Sequence, residues 1–241
     1  MLINKRLLIL FFVLNILSAC AKRDEQLSAL ELSWRMPMFD KERDTIFTLA
    51  GSNKLYFLDS LVLYKKEDIF IDQHRREHAI YTYWIYNGQS KYGLKYNPLK
   101  KNARGLKFDV DSFQRENAFK DFPFYNNQSA KFHHSGTQNG MLIESYVTPV
   151  RPDESYADTI IYYFNKKLKT PFYFSKELDS LKKSKLVKIV GIYNPITNSS
   201  YKALRKRREM IFEIEEIKID SAKNMLFFYD KFKNEIKLIN P

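Results

Sequence analysis

The stretch AIYTYWIY (79–86), followed by NGQS (87–90) and KYGLKY (91–96), decides the fold. Aromatic and β-branched residues suit a pleated surface, where they pack against cross-strand neighbours. Asn87-Gly88 lies between the two runs. Both residues tolerate the positive φ of tight hairpin turns, so the stretch predicts a β-hairpin. Side chains alternate between the faces of a strand, so Tyr92, Leu94 and Tyr96 share one face and Lys91 and Lys95 the other. The first strand is apolar on both faces, which places it within a sheet rather than at its edge.

Similar runs recur on both sides. They are KLYFL (54–58), LVLYK (61–65), DIFID (68–72), LKFDV (106–110), MLIESYV (141–147), DTIIYYF (158–164), LVKIVGIY (186–193), MIFEIEEIKI (210–219), NMLFFY (224–229) and EIKLI (235–239). Each reads as a strand. In 210–219 the apolar phase slips across Glu215-Glu216, which predicts a bulge. Helices are few. Residues 175–183 open on Ser175, carry acids early and lysines late, and so predict a short capped helix with Leu178 and Leu181 facing the core. Residues 111–118 are a weaker helix. The sum is an α+β domain, predominantly antiparallel β, with a sandwich or an open barrel-like shape and a few short helices.

The chain has 241 residues, 44% of them hydrophobic, which excludes a disordered chain; its 7 glycines and 8 prolines form no flexible linker. No internal repeat is visible. The N-terminus differs from the rest. Lys5 and Arg6 precede an apolar run from Leu7 to Leu17, too short to span a bilayer and patterned as a secretory signal. Then comes Leu17-Ser18-Ala19-Cys20, and Cys20 is the only cysteine in the chain. An exported domain with one cysteine makes no internal disulfide.

The Leu-Ser-Ala-Cys tetrad resembles the lipobox of bacterial lipoproteins, and the body is similar to small β-rich lipoproteins of Gram-negative envelopes. The resemblance implies cleavage between Ala19 and Cys20 and acylation of Cys20. Residues 1–19 are then a signal peptide, 20–40 a lipidated N-terminus and polar tether, and 41–241 a single β-rich domain. Ala21 is not the aspartate that retains some lipoproteins at the inner membrane, which by the same analogy implies the outer membrane. Lys22-Arg23-Asp24-Glu25 is similar to the charged signals of some surface lipoproteins.

The formal charge is +12, and Lys5 and Arg6 leave with the signal. Export removes nucleic acid as a partner and leaves lipid headgroups, acidic glycans and acidic proteins. The densest basic run holds Lys202, Arg205, Lys206, Arg207 and Arg208, either a solvated face or a contact with an anionic surface. Aromatic residues make up 15% of the chain. Tyr83, Trp84 and Tyr92 are candidates for stacking on sugar rings, against the alternative of core and cross-strand packing.

One motif proposes a reaction. His74, Glu77 and His78 fit H-x-x-E-H, the inverted zinc-protease signature. That chemistry needs a helix, so that both histidines reach one ion and the glutamate activates its water. The flanks, DIFID and AIYTYWIY, are strand-like, and Arg75 and Arg76 add positive charge beside the ion. The motif therefore reads as a charged connection between strands. Glu144 and Glu154 are the nominees for a third ligand, and His133-His134 would point to opposite faces of a strand. Serine, P-loop and dinucleotide motifs are absent, and Glu144 and Asp153-Glu154 are ordinary loop carboxylates for a glycosidase. The sequence thus predicts no metal, no cofactor and no catalytic residue. It predicts a lipid-anchored, non-enzymatic module that binds an envelope protein, with glycan or small-ligand binding through an aromatic sheet face as the alternative and a zinc hydrolase as a remote one.

Overall fold

A computed structural model describes residues 27–71, 77–117, 130–149, 156–219 and 222–238. Eleven strands occupy most of it: β1 Ser28–Asp40, β2 Thr45–Leu58, β3 Leu61–Ile71, β4 Glu77–Asn87, β5 Tyr92–Tyr96, β6 Leu106–Asp109, β7 Lys131–Gln138, β8 Met141–Val147, β9 Thr159–Asn165, β10 Lys185–Tyr193 and β11 Arg208–Glu216. Three helices accompany them: α1 Val110–Asn117, α2 Lys176–Lys182 and α3 Ala222–Glu235. All strands belong to one sheet, in the order β6-β5-β4-β3-β2-β1-β11-β10-β9-β8-β7. Every pairing is antiparallel. The architecture is thus one open sheet, not a sandwich of two.

Alternation along the strands sends two apolar sets to opposite sides. On the inner side, Leu30, Leu32, Phe57, Val62, Tyr64 and Tyr86 join Tyr162, Phe164, Leu186, Ile189 and Phe212 in one core. Phe113 of α1 and Phe172 and Phe174 of the connection after β9 complete it. On the outer side, Leu58, Leu63, Tyr83, Ile85, Leu94 and Tyr96 pack beneath Met225, Phe228, Tyr229 and Phe232 of α3. Those four recur at i, i+3, i+4 and i+7, one face of a helix. Fully burying each contributes about 1.5–3 kcal/mol. The Tyr229 hydroxyl donates to the Tyr56 carbonyl at 2.6 Å, which fixes the docking of α3.

Several expectations change. Residues 28–40 are not tether but β1, which sits mid-sheet between β2 and β11. NMLFFY and EIKLI are not strands; they lie in α3 and the 3-10 turn Ile236–Leu238. LVLYK and residues 68–71 of DIFID are one strand, β3, and Asp72 lies outside the described residues. No bulge marks Glu215-Glu216: pairing with β1 runs in register from Ile211 to Glu216, and the strand ends there. The phase slip is that end, after which Ile217 and Ile219 pack on the outer core. Helix α2 forms with Ser175 as its cap, its hydroxyl accepting from the Leu178 amide at 3.2 Å. Leu178 packs on the core, whereas Leu181 is 70% exposed. The β4–β5 turn exists but uses another device. The Asn87 side chain accepts from the Gln89 amide, the Ser90 amide donates to the Asn87 carbonyl, and Gly88 has no positive φ. The pair that does use positive φ is Asn139 (φ 50°) and Gly140 (φ 76°), between β7 and β8.

Candidate functional site

Strands β1 and β2 stay paired from Ser28↔Phe57 to Asp40↔Thr45. Their outer neighbours stop much sooner. β11 pairs with β1 only as far as Arg35, and β3 pairs with β2 only from Lys54. The hairpin therefore continues past the sheet as a two-stranded arm. The inner-face alternation continues with it: Leu30, Leu32, Trp34, Met36 and Met38 on β1 face the same way as Leu55, Leu49 and Phe47 on β2. Trp34 and Met36 pack on the inner core. Met38, Phe47 and Leu49 do not, and are 41%, 49% and 46% exposed. An apolar stripe thus leaves the interior and runs out along the arm.

The arm is held in place from its other face and its tip. Phe39 meets the Tyr201 ring edge-on at 5.1 Å. The Asp44 carboxylate accepts from the Lys202 and Ala203 amides at 2.9 and 3.1 Å. Asp40 accepts from the Glu42 and Arg43 amides and shapes the turn. Asp44 itself has φ 47°, a left-handed conformation that aspartate accommodates better than most residues. The result is a braced ridge with one apolar face open. A mobile loop would lose entropy on binding; a braced ridge loses less.

The basic run lies beside the arm tip, in the connection between β10 and β11, but it is not one open patch. The Arg205 guanidinium donates to the Ser199 carbonyl at 3.1 and 2.9 Å. Arg207 pairs with Glu209 at 2.8 Å, and Arg208 stacks over Tyr193. Lys202 and Lys206 are exposed.

Tyr83, Trp84 and Tyr92 are not on one platform. Tyr83 is buried on the outer side against Phe228 at 5.0 Å. Trp84 faces inward, stacked on Phe113 at 4.5 Å, edge-on to Phe108 at 4.8 Å and beneath the Lys95 ammonium. Tyr92 lies under Lys107, whose ammonium is 3.5 Å from the ring centre. Burial pushes the neighbouring Tyr86 hydroxyl up to about 12. These rings make core and cross-strand contacts.

Cys20, Ala19, His74 and Glu154 lie outside the described residues. Glu77 and His78 begin β4, paired with Ile71 and Phe70, so this half of the H-x-x-E-H motif is extended. His133 and His134 lie on β7, beside a register shift. Glu144 is buried; it accepts from Lys182 at 2.8 Å and from the Tyr146 hydroxyl at 2.9 Å. Burial, then the Glu144 carboxylate, pushes the Tyr146 hydroxyl up to about 12. Among the described residues no three His, Cys, Asp or Glu side chains are placed to share a metal ion.

No protein-family model matches this sequence, and no curated protein does. Among solved structures, the chain is similar to a LolA superfamily protein from Nitrosomonas europaea. The two share 9% identity over 85% of this chain and 90% of that one, with a TM-score of 0.23. That identity transfers no residue's role from one protein to the other.

Proposed function

We propose that the mature chain is a non-enzymatic lipoprotein, anchored in the outer membrane through acylated Cys20, that binds an envelope protein through the apolar face of its β1–β2 arm. The observation that carries this reading is the exposed row Met38, Phe47 and Leu49 on a braced hairpin. The polarity of β1 supports it. The chain enters the sheet at Ser28 and reaches the arm tip after Asp40. Thirteen residues at ~3.3 Å each set roughly 40 Å between the two ends. Cys20 precedes Leu27 by seven residues, and the strand that follows starts at the end of the sheet away from the arm, which supports an anchor remote from the arm. That spacing favours a protein, rather than the membrane of the proposed anchor, as the partner of the arm.

The test is a photocrosslinking residue at Phe47 in the lipidated protein, irradiated in its native envelope. One protein adduct is expected, and Met38→Lys with Leu49→Lys removes it without lowering the amount of folded protein. An adduct that survives both substitutions, or no adduct from folded protein, ends the proposal. Cys20→Ala moves the protein to the soluble fraction if the anchor is as proposed.

A further inference from the structure

The sheet has two ends, and the strand registers assign residues to each. Ser28 opens β1 next to the end of β11, where Leu30 pairs with Glu216. β11 and β10 are antiparallel, and Lys185 at the start of β10 pairs with Asn165 at the end of β9. The entry of β1, the exit of β9 and the entry of β10 therefore share one end. At that end Lys166, Lys169, Lys183 and Lys185 line a single open cleft. Its one acid, Asp179, is already engaged: its carboxylate holds Lys185 at 2.8 Å and accepts from the Leu186 amide at 2.7 Å. Lys166, Lys169 and Lys183 are exposed. Lys183 adopts φ 50°, a left-handed helix-capping conformation that favours glycine, yet carries a cationic side chain.

We infer that this lysine cleft rests on the phosphate headgroups of the anionic phospholipids around the anchor. The inference builds on the lipid anchor proposed above and adds the face that meets the bilayer. Length and charge both support it. Three strand spacings, about 14 Å, separate β1 from β9. The seven residues 21–27 reach at most about 25 Å. The tether thus keeps this end within contact of the membrane. The denser run at Lys202–Arg208 lies at the far end, beside the arm tip, and is held away from that surface.

The test uses the mature chain with Cys20→Ala, so that no acyl chain contributes, and its sedimentation with vesicles. Phosphatidylglycerol-containing vesicles are compared with pure phosphatidylcholine. Each lysine near an anionic surface changes partitioning about fivefold. The triple variant Lys166→Glu, Lys169→Glu, Lys183→Glu is expected to bind at least about a hundredfold less. Lys202→Glu, Lys206→Glu, Arg207→Glu makes the same charge change at the far end and is expected to keep most of the binding. A triple alanine variant at 166, 169 and 183 repeats the test if the glutamates disturb folding. Equal losses in the two triples, equal binding to neutral vesicles, or no binding at all overturns the inference. So does displacement by millimolar inorganic phosphate beyond matched sodium chloride, which marks a free-anion site. The anchor itself is read separately from the release of Cys20→Ala in cells, so either proposal can fail alone.

Discussion

Two glycines in this sheet sit where no side chain fits without a shift. A Cβ on Gly93 would lie 2.4 Å from the Phe108 ring and 2.7 Å from the Ile85 carbonyl oxygen. The ring can turn; the backbone oxygen, set by the β4–β5 ladder, cannot do so cheaply. Gly93→Ala is therefore expected to destabilise the protein by about 1–3 kcal/mol through overpacking. Gly88→Ala, with nothing within 4 Å of the added carbon, is expected to stay within about 0.5 kcal/mol. Urea unfolding of both variants checks the contrast. The same logic explains Trp34 on β1. Its indole lies over Gly51, where an added Cβ would sit 2.4 Å from the ring, so the missing side chain opposite lets Trp34 lie flat at the base of the arm.

At the scale of elements, local chemistry decides some structures and long-range partners the others. Helix α2 was legible because its cap, acids and lysines all lie within one short segment. Ser175→Ala removes the hydroxyl that accepts from Leu178 and should cost about 1 kcal/mol, visible as a lower thermal midpoint. Helix α3 looks like a strand in sequence because Met225, Phe227 and Tyr229 also fit a period of two. Phe227 is in fact 45% exposed, and the helical set is the buried one. Strand β1 alternates Leu30, Leu32, Trp34 and Met36 with Glu31, Ser33 and Arg35, a strand signal overshadowed by the charged residues 22–25 just before it, and nothing nearby in sequence announces β11 as a partner. The arm is hidden because its partners, too, are not local. That β1 and β2 outrun their neighbours is a property of two registers, and neither is written in the hairpin. The position of β4 inside the sheet is plain, since AIYTYWIY is apolar on both faces, and β8 is marked by the β-branched and aromatic residues of MLIESYV.

For the molecule as a whole, the sheet is sealed by tyrosines. Tyr86 and Tyr146 have hydroxyls raised to about 12, and burial raises those of Tyr96, Tyr162 and Tyr229 as well. An unfolded phenol ionises near 10. A raised folded value means that the unfolded state loses its protons first as pH rises. The stability these groups share is intact below about pH 10 and falls as pH rises above it, for Tyr86 and Tyr146 through about 12. Alkaline titration should show phenolate absorbance from these residues appearing together with loss of tertiary circular dichroism. Phenolate signal from all of them with the fold intact would refute the burial argument.

The strand order joins the first strand described to the last. β1 finds β11 only when almost the whole chain is present, because Leu30 and Glu216 are partners. The hairpins β1–β2 and β3–β4 can form early, from neighbours in sequence. The two halves of the inner core cannot be brought edge to edge until β11 arrives, and such long closures are slow. A chain emerging in order thus stays incomplete for most of its synthesis. Under the export proposed above, that delay would keep the chain in a state fit for passage across a membrane.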